Sequence, residues 1–230
     1  MEENNNNNEP EVNKNNFKKE TKDAVNKVKD AFKGTDFKSE LNNLKKFFVN
    51  FVKSPIQTVK SIASGESNGI VISIVLLVLM ILLNIIGDAI YYGMNEYLEI
   101  TAKIIVLDII SPIIFVAVFS AMTYFFSGKN KKSIATVIPA IMVAFTPFVI
   151  RDIIYVLYTL INEAISIYFI YNMISLTINF MTMVLLMYTI RELITKTDEE
   201  DKDFRRIILI VFVSYAIVCI LTKLEIYSSI

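Results

Sequence analysis

Residues 69–91 read GIVISIVLLVLMILLNIIGDAIY, and this stretch decides the class of fold. It carries no charge before Asp88, and Ser73 and Asn84 are the polar side chains that precede it. An α-helix rises about 1.5 Å per residue, so about 20 residues cross a hydrocarbon core of about 30 Å. Soluble domains alternate polar and apolar surface along each element. An unbroken apolar run of this length therefore has lipid as its solvent.

Outward from this run, four more candidate spans follow at 103–126, 134–158, 167–190 and 207–222. Apolarity alone allows 134–190 to be cut into two spans or three, and positive charge decides between them. Lys45, Lys46, Lys53 and Lys60 precede the first span. Lys129, Lys131 and Lys132 separate the second from the third, and Arg191, Lys196, Lys202, Arg205 and Arg206 separate the fourth from the fifth. The segments 92–102 and 159–166 hold Glu96, Glu99 and Glu163 but no Lys or Arg. Five spans place every basic loop in the cytoplasm, whereas six would push 191–206 outward. The expected topology is N-terminus inside and C-terminus outside. Tyr91, Tyr92, Tyr97, Tyr155, Tyr158, Tyr168 and Tyr171 then fall near the outer interface, and Tyr124 and Tyr188 near the inner one, as an aromatic belt requires.

Composition excludes several chemistries. The 230 residues are 54% hydrophobic and include no histidine, which removes His-based triads and zinc sites from consideration. Cys219 is the lone cysteine, so no intrachain disulfide forms. Neither a nucleophile elbow, a phosphate-binding glycine loop nor a nucleic-acid reading module is present. The expectation is a non-enzymatic protein with no cofactor, no metal and no nucleic-acid partner.

The first 68 residues are hydrophilic, with no cleavable signal pattern. Residues 1–16 are an Asn-rich low-complexity tail, expected to be disordered. Residues 17–64 read as basic amphipathic helices. Phe37, Leu41, Leu44, Phe48, Phe51 and Val52 form one apolar stripe, while Lys38, Lys45, Lys46 and Lys53 occupy the rest of that helix. Ser54-Pro55 reads as a helix start and Gly65 as the next stop, with Lys60 between them. Such a helix suits an anionic membrane surface. Packing on the protein's own helices, or pairing as a coiled coil, are the alternatives.

Charges inside spans are costly and are functional candidates for that reason. Asp88, Lys103, Asp108, Arg151 and Asp152 qualify, all in the outer half under this topology. Together they make either a polar pocket for an ion, proton or small solute, or a structural interhelix pair. An Asp108–Arg151 pair is geometrically allowed. Arg151 and Asp152 stand about 100° apart on a helix and so cannot both face one partner. Pro112, Pro139 and Pro147 lie within spans and can kink them. Ala140 and Ala144 form a small-xxx-small pair.

The segment FVKSPIQTVKSIASGE before the first span, the five spans, and Ala144, Thr146 and Pro147 within VIPAIMVAFTPFVI together resemble the Yip family of Ypt/Rab-interacting membrane proteins. The resemblance covers roughly residues 44–225. The Asp-Leu-Tyr-Gly-Pro signature of eukaryotic members is absent, as are cysteines for the zinc ribbon of bacterial relatives. The resemblance implies a non-enzymatic, membrane-organising or protein-interaction role, with the bilayer and a further membrane protein as partners. A bacterial plasma membrane is the expected location, and a eukaryotic endomembrane the alternative. A small transporter or permease component is the other functional expectation. The expected architecture is an all-α polytopic membrane protein with five transmembrane helices and an N-terminal amphipathic helical arm.

Overall fold

The structure, a computed structural model, describes residues 37–65, 69–93, 102–127, 132–161, 168–194 and 200–227, with a few isolated positions between 19 and 29. Those six stretches form eight helices: α1 (Phe37–Lys53), α2 (Pro55–Ser64), α3 (Gly69–Tyr92), α4 (Ala102–Phe126), α5 (Ile134–Ala144), α6 (Thr146–Ile161), α7 (Tyr168–Leu193) and α8 (Glu200–Tyr227). The tail at 1–16, most of the helical period expected over 17–32, and Tyr97, Lys129, Lys131 and Lys196 lie outside the described residues.

Five units are long and apolar enough to cross a membrane: Gly69–Tyr92, Ile105–Phe126, Ile134–Ile161, Tyr168–Leu193 and Lys202–Thr222. The protein is an all-helical polytopic membrane protein, and the stretch 134–190 supplies two spans. Helices suit this solvent because they satisfy their backbone polar groups internally.

The third span is the centre of the bundle. Some 61% of the residues in its apolar segment are buried, against 22% to 33% in the other four. The first span packs along both of its halves, α5 and α6, and the fourth span, α7, does the same. The second span, α4, packs on α5 and α3, and α8 closes the bundle against α4 and α7. Ala140 and Ala144 are fully buried within this core.

Pro147 breaks the third span rather than merely bending it. Lacking an N–H, it cannot donate to the Val143 carbonyl four residues earlier. Thr146 Oγ1 donates to that carbonyl instead, at 2.7 Å. Phe145 leaves the helix as a turn residue, with its N–H directed at Met142 O at 3.1 Å. Irregular backbone at membrane depth is tolerated where protein covers it, and Phe145 is only 1% exposed. Phe145 lies eleven residues beyond Ile134, or ~16 Å along the span, which brings the break close to mid-membrane.

The arm docks on the bundle. Val59, Ile62 and Ala63 of α2 are buried, and α2 packs against α5 and α7. Gly65 ends the helix in the left-handed region at φ 84°, where a side chain would be strained. Ser54 supplies the break between α1 and α2 without a side-chain cap, and its carbonyl accepts from both Thr58 N and Thr58 Oγ1 at 3.0 Å. The apolar stripe expected on α1 needs correction. Phe47 and Phe51 are the buried pair, with ring centroids 5.9 Å apart, whereas Val52 is 73% exposed. Phe47 and Phe51 sit one turn apart on a single face, and Val52 is rotated about 100° away from Phe51.

Candidate functional site

Among the described charges within the spans, Asp88 is bonded to a tyrosine and Arg151 is paired with Asp152. Asp88, near the end of α3, accepts a hydrogen bond from Tyr155 Oη of α6 at 3.0 Å. Gly87 makes this approach possible, because a Cβ there would stand 2.6 Å from Tyr155 Cδ1. Tyr155 lies 5.8 Å from the Tyr171 ring, and Tyr171 stacks on Tyr158 at 4.7 Å and 16°. These three tyrosines therefore turn toward one another between α6 and α7. Tyr91 and Tyr168, by contrast, are 56% and 61% exposed. Tyr124, expected at the inner interface, is buried.

Arg151 takes its carboxylate from the residue beside it. Its Nε and one terminal nitrogen both donate to Asp152 Oδ1, at 3.0 and 2.8 Å. The Cβ directions of the two residues diverge by about 100° on the helix. The long arginine side chain bends around the helix, so the 100° between the two Cβ directions does not keep the charges apart. The guanidinium also lies over the Phe148 ring, 4.6 Å from its centroid, a cation–π geometry. Asp152 is buried, and its Oδ2 has no hydrogen-bond partner among the described residues. Asp108 is half-buried on α4 and has interactions of its own. The side chain of Lys103 lies outside the described residues.

Because α6 continues to Ile161, Arg151 lies ten residues from its C-terminal end, ~15 Å along the helix. That is deeper than a span ending at 158 implied. Asp88, four residues from the end of α3, is much shallower.

Beside Arg151 the helices line a partly open cavity of about 370 Å³. All five spans contribute to its wall: Met80 and Asn84 from α3, Ser111, Pro112, Phe115 and Phe119 from α4, Phe145, Phe148 and Arg151 from the third span, a strip of α7 that includes Asn179, and Tyr215 from α8. The phenylalanines form a connected edge-to-face set, with Phe115–Phe145 at 6.0 Å, Phe119–Phe145 at 5.6 Å and Phe115–Phe148 at 6.3 Å. Phe115 stands three residues after Pro112 and Phe148 directly after Pro147, and these two rings meet edge-to-face. Sequence reasoning treated the prolines as kinks and passed over these rings. The i, i+4 spacing of Phe115 and Phe119, with Phe145 and Phe148 flanking Pro147, was the signal available. Among the described residues no three acidic or thiol side chains converge as a metal site.

On the arm, Lys45, Lys46, Lys53 and Lys60 are all exposed, and the side chain of Lys38 lies outside the described residues. Val49, Val52 and Ile56 are also exposed, beside those lysines. Comparison with known proteins returns no matching family model, no matching curated protein and no matching solved structure.

Proposed function

We propose that this protein is a non-enzymatic, Yip-like membrane protein with a membrane-organising or protein-interaction role, carried by its basic arm at the cytoplasmic face. The observation that carries this reading is that the arm has two faces. Phe47, Phe51, Val59 and Ile62 are buried in the core, while Val49, Val52 and Ile56 remain exposed among Lys45, Lys46, Lys53 and Lys60. An apolar strip bordered by lysines suits the headgroup boundary of an anionic leaflet, where each lysine contributes about 1 kcal/mol. The bundle thus holds a lipid-facing or partner-facing platform at a fixed height. The basic loops at the same end orient it toward the cytoplasm, with the C-terminus outside.

The test uses the full chain with Cys219→Ser, reconstituted in nanodiscs and spin-labelled at position 52 or 57. In anionic bilayers the label at 52 should be accessible to oxygen and shielded from a water-soluble relaxation agent, with the reverse at 57. Equal aqueous exposure at both positions, unchanged by lipid charge, would remove the membrane-surface reading.

The second reading, a small transporter or permease component, is supported by the broken third span beside a cavity, because discontinuous helices line midplane sites in transporters. Proton flux into proteoliposomes loaded with a pH-sensitive dye, lost on Arg151→Gln, would favour it over the first.

A further inference from the structure

We infer that the intramembrane cavity binds a single-chain amphiphile drawn from the bilayer, with its carboxylate head at Arg151 and its chain among Phe115, Phe119 and Phe145. Protein interiors are packed so closely that voids larger than a water molecule are few. A cavity of about 370 Å³ lies within the size range of small-molecule sites. Its wall also has the composition of such sites, with aromatic surface and a few polar groups.

Arg151 supplies the head-group contact. Two of its N–H donors go to Asp152 Oδ1, and Phe148 lies against its face, so the guanidinium is fixed in place with donors remaining. A planar guanidinium matches the two oxygens of a carboxylate better than any other cationic side chain does. The Arg151–Asp152 pair is neutral overall, so among anionic heads a monoanion adds the least uncompensated charge. Asp152 already offsets Arg151 and does not line the cavity, so a dianionic phosphate would meet repulsion that one carboxylate largely avoids.

The route of entry selects a bilayer-dissolved ligand over a water-soluble one. Leu176 and Phe180 of α7 belong to the cavity wall, yet they are 65% and 72% exposed. They lie within a membrane span, so the surface they expose faces acyl chains. The cavity thus communicates with the hydrocarbon layer between helices, and a chain entering sideways meets the rings before its head reaches Arg151.

The experiment is photocrosslinking of the full-length protein in neutral nanodiscs, with a long-chain fatty acid carrying a mid-chain diazirine. Saturable crosslinks are expected on the segments holding Phe115 to Phe119 and Phe145 to Phe148. Unlabelled fatty acid should displace the probe, and an alkane of equal length should not. Arg151→Gln combined with Asp152→Asn removes the cation without leaving a buried charge, and should weaken binding roughly tenfold or more. Ser111→Phe fills the cavity from α4, leaves the ion pair untouched, and should remove the crosslinks. Thermal unfolding establishes that each variant is folded. The inference is overturned if labelling is unsaturable and spread over the lipid-facing helices, if the alkane competes as well as the acid, or if folded Ser111→Phe labels like the parent. None of these outcomes depends on where the arm lies.

Discussion

Gly87→Ala tests how closely the first and third spans approach. The new Cβ would stand 2.6 Å from Tyr155 Cδ1 and 2.7 Å from Cε1. Carbon atoms normally meet at about 3.5–4.0 Å, so the ring must retreat by about 1 Å. It is not free to do so, because its hydroxyl is bonded to Asp88 and its face lies against Tyr171. Overpacking of this kind costs about 1–3 kcal/mol. Straining an interhelical hydrogen bond in a membrane adds about 0.6 kcal/mol. Alanine in place of glycine returns about 1 kcal/mol of helix propensity. The net expectation is a loss of about 0.5–2.5 kcal/mol. With Tyr155→Ala in the background the obstruction is gone, and Gly87→Ala should be neutral or stabilising by up to about 1 kcal/mol. SDS-driven unfolding in mixed micelles, followed by helical circular dichroism, reads both numbers. The same effect of Gly87→Ala in both backgrounds would show that Tyr155 does not pack on Gly87.

Two further outcomes follow from the third span. Thr146→Val removes the donor to Val143 O and should cost about 1–3 kcal/mol in the same unfolding assay, as an unsatisfied buried carbonyl does. With Pro147→Ala the backbone N–H returns, so the same substitution should then cost less. Arg151→Gln leaves Asp152 buried without a counter-charge and should destabilise by about 3–5 kcal/mol, while adding Asp152→Asn should recover much of that loss. Additive single and double effects would mean that the two side chains do not interact.

How much was legible from sequence follows from how hard the physics constrains each feature. Lipid demands about 20 apolar residues per crossing and tolerates few charges, so five spans could be counted from composition. Gly65 as a helix stop was legible for a similar reason, because few residues accept its backbone conformation. The docking face of α1 was not. Phe47, Phe48, Val49, Phe51 and Val52 wrap apolar surface around much of the helix, and only the packing of α1 against α2 and the core selects Phe47 and Phe51. Nor was the partner of Arg151, since Cβ directions on a helix do not limit where a long side chain places its charge. Tyr155, Tyr158 and Tyr171 carried two readings, interface anchor or packed ring, and the pairing of α6 with α3 and α7 decides between them. The cavity needs all five spans at once, and no local pattern announces it.

The central claim is a five-span bundle whose basic end, with the docked arm, faces the cytoplasm. Single cysteines in a Cys219→Ser background test it most directly, at Ser64, Ser133 and Lys202 on the basic end and at Tyr91 and Ile161 on the other. An impermeant thiol reagent applied to intact cells should label positions 91 and 161. Positions 64, 133 and 202 should react only after permeabilisation. Labelling of 133 or 202 in intact cells, or protection of 91 there, would contradict the account.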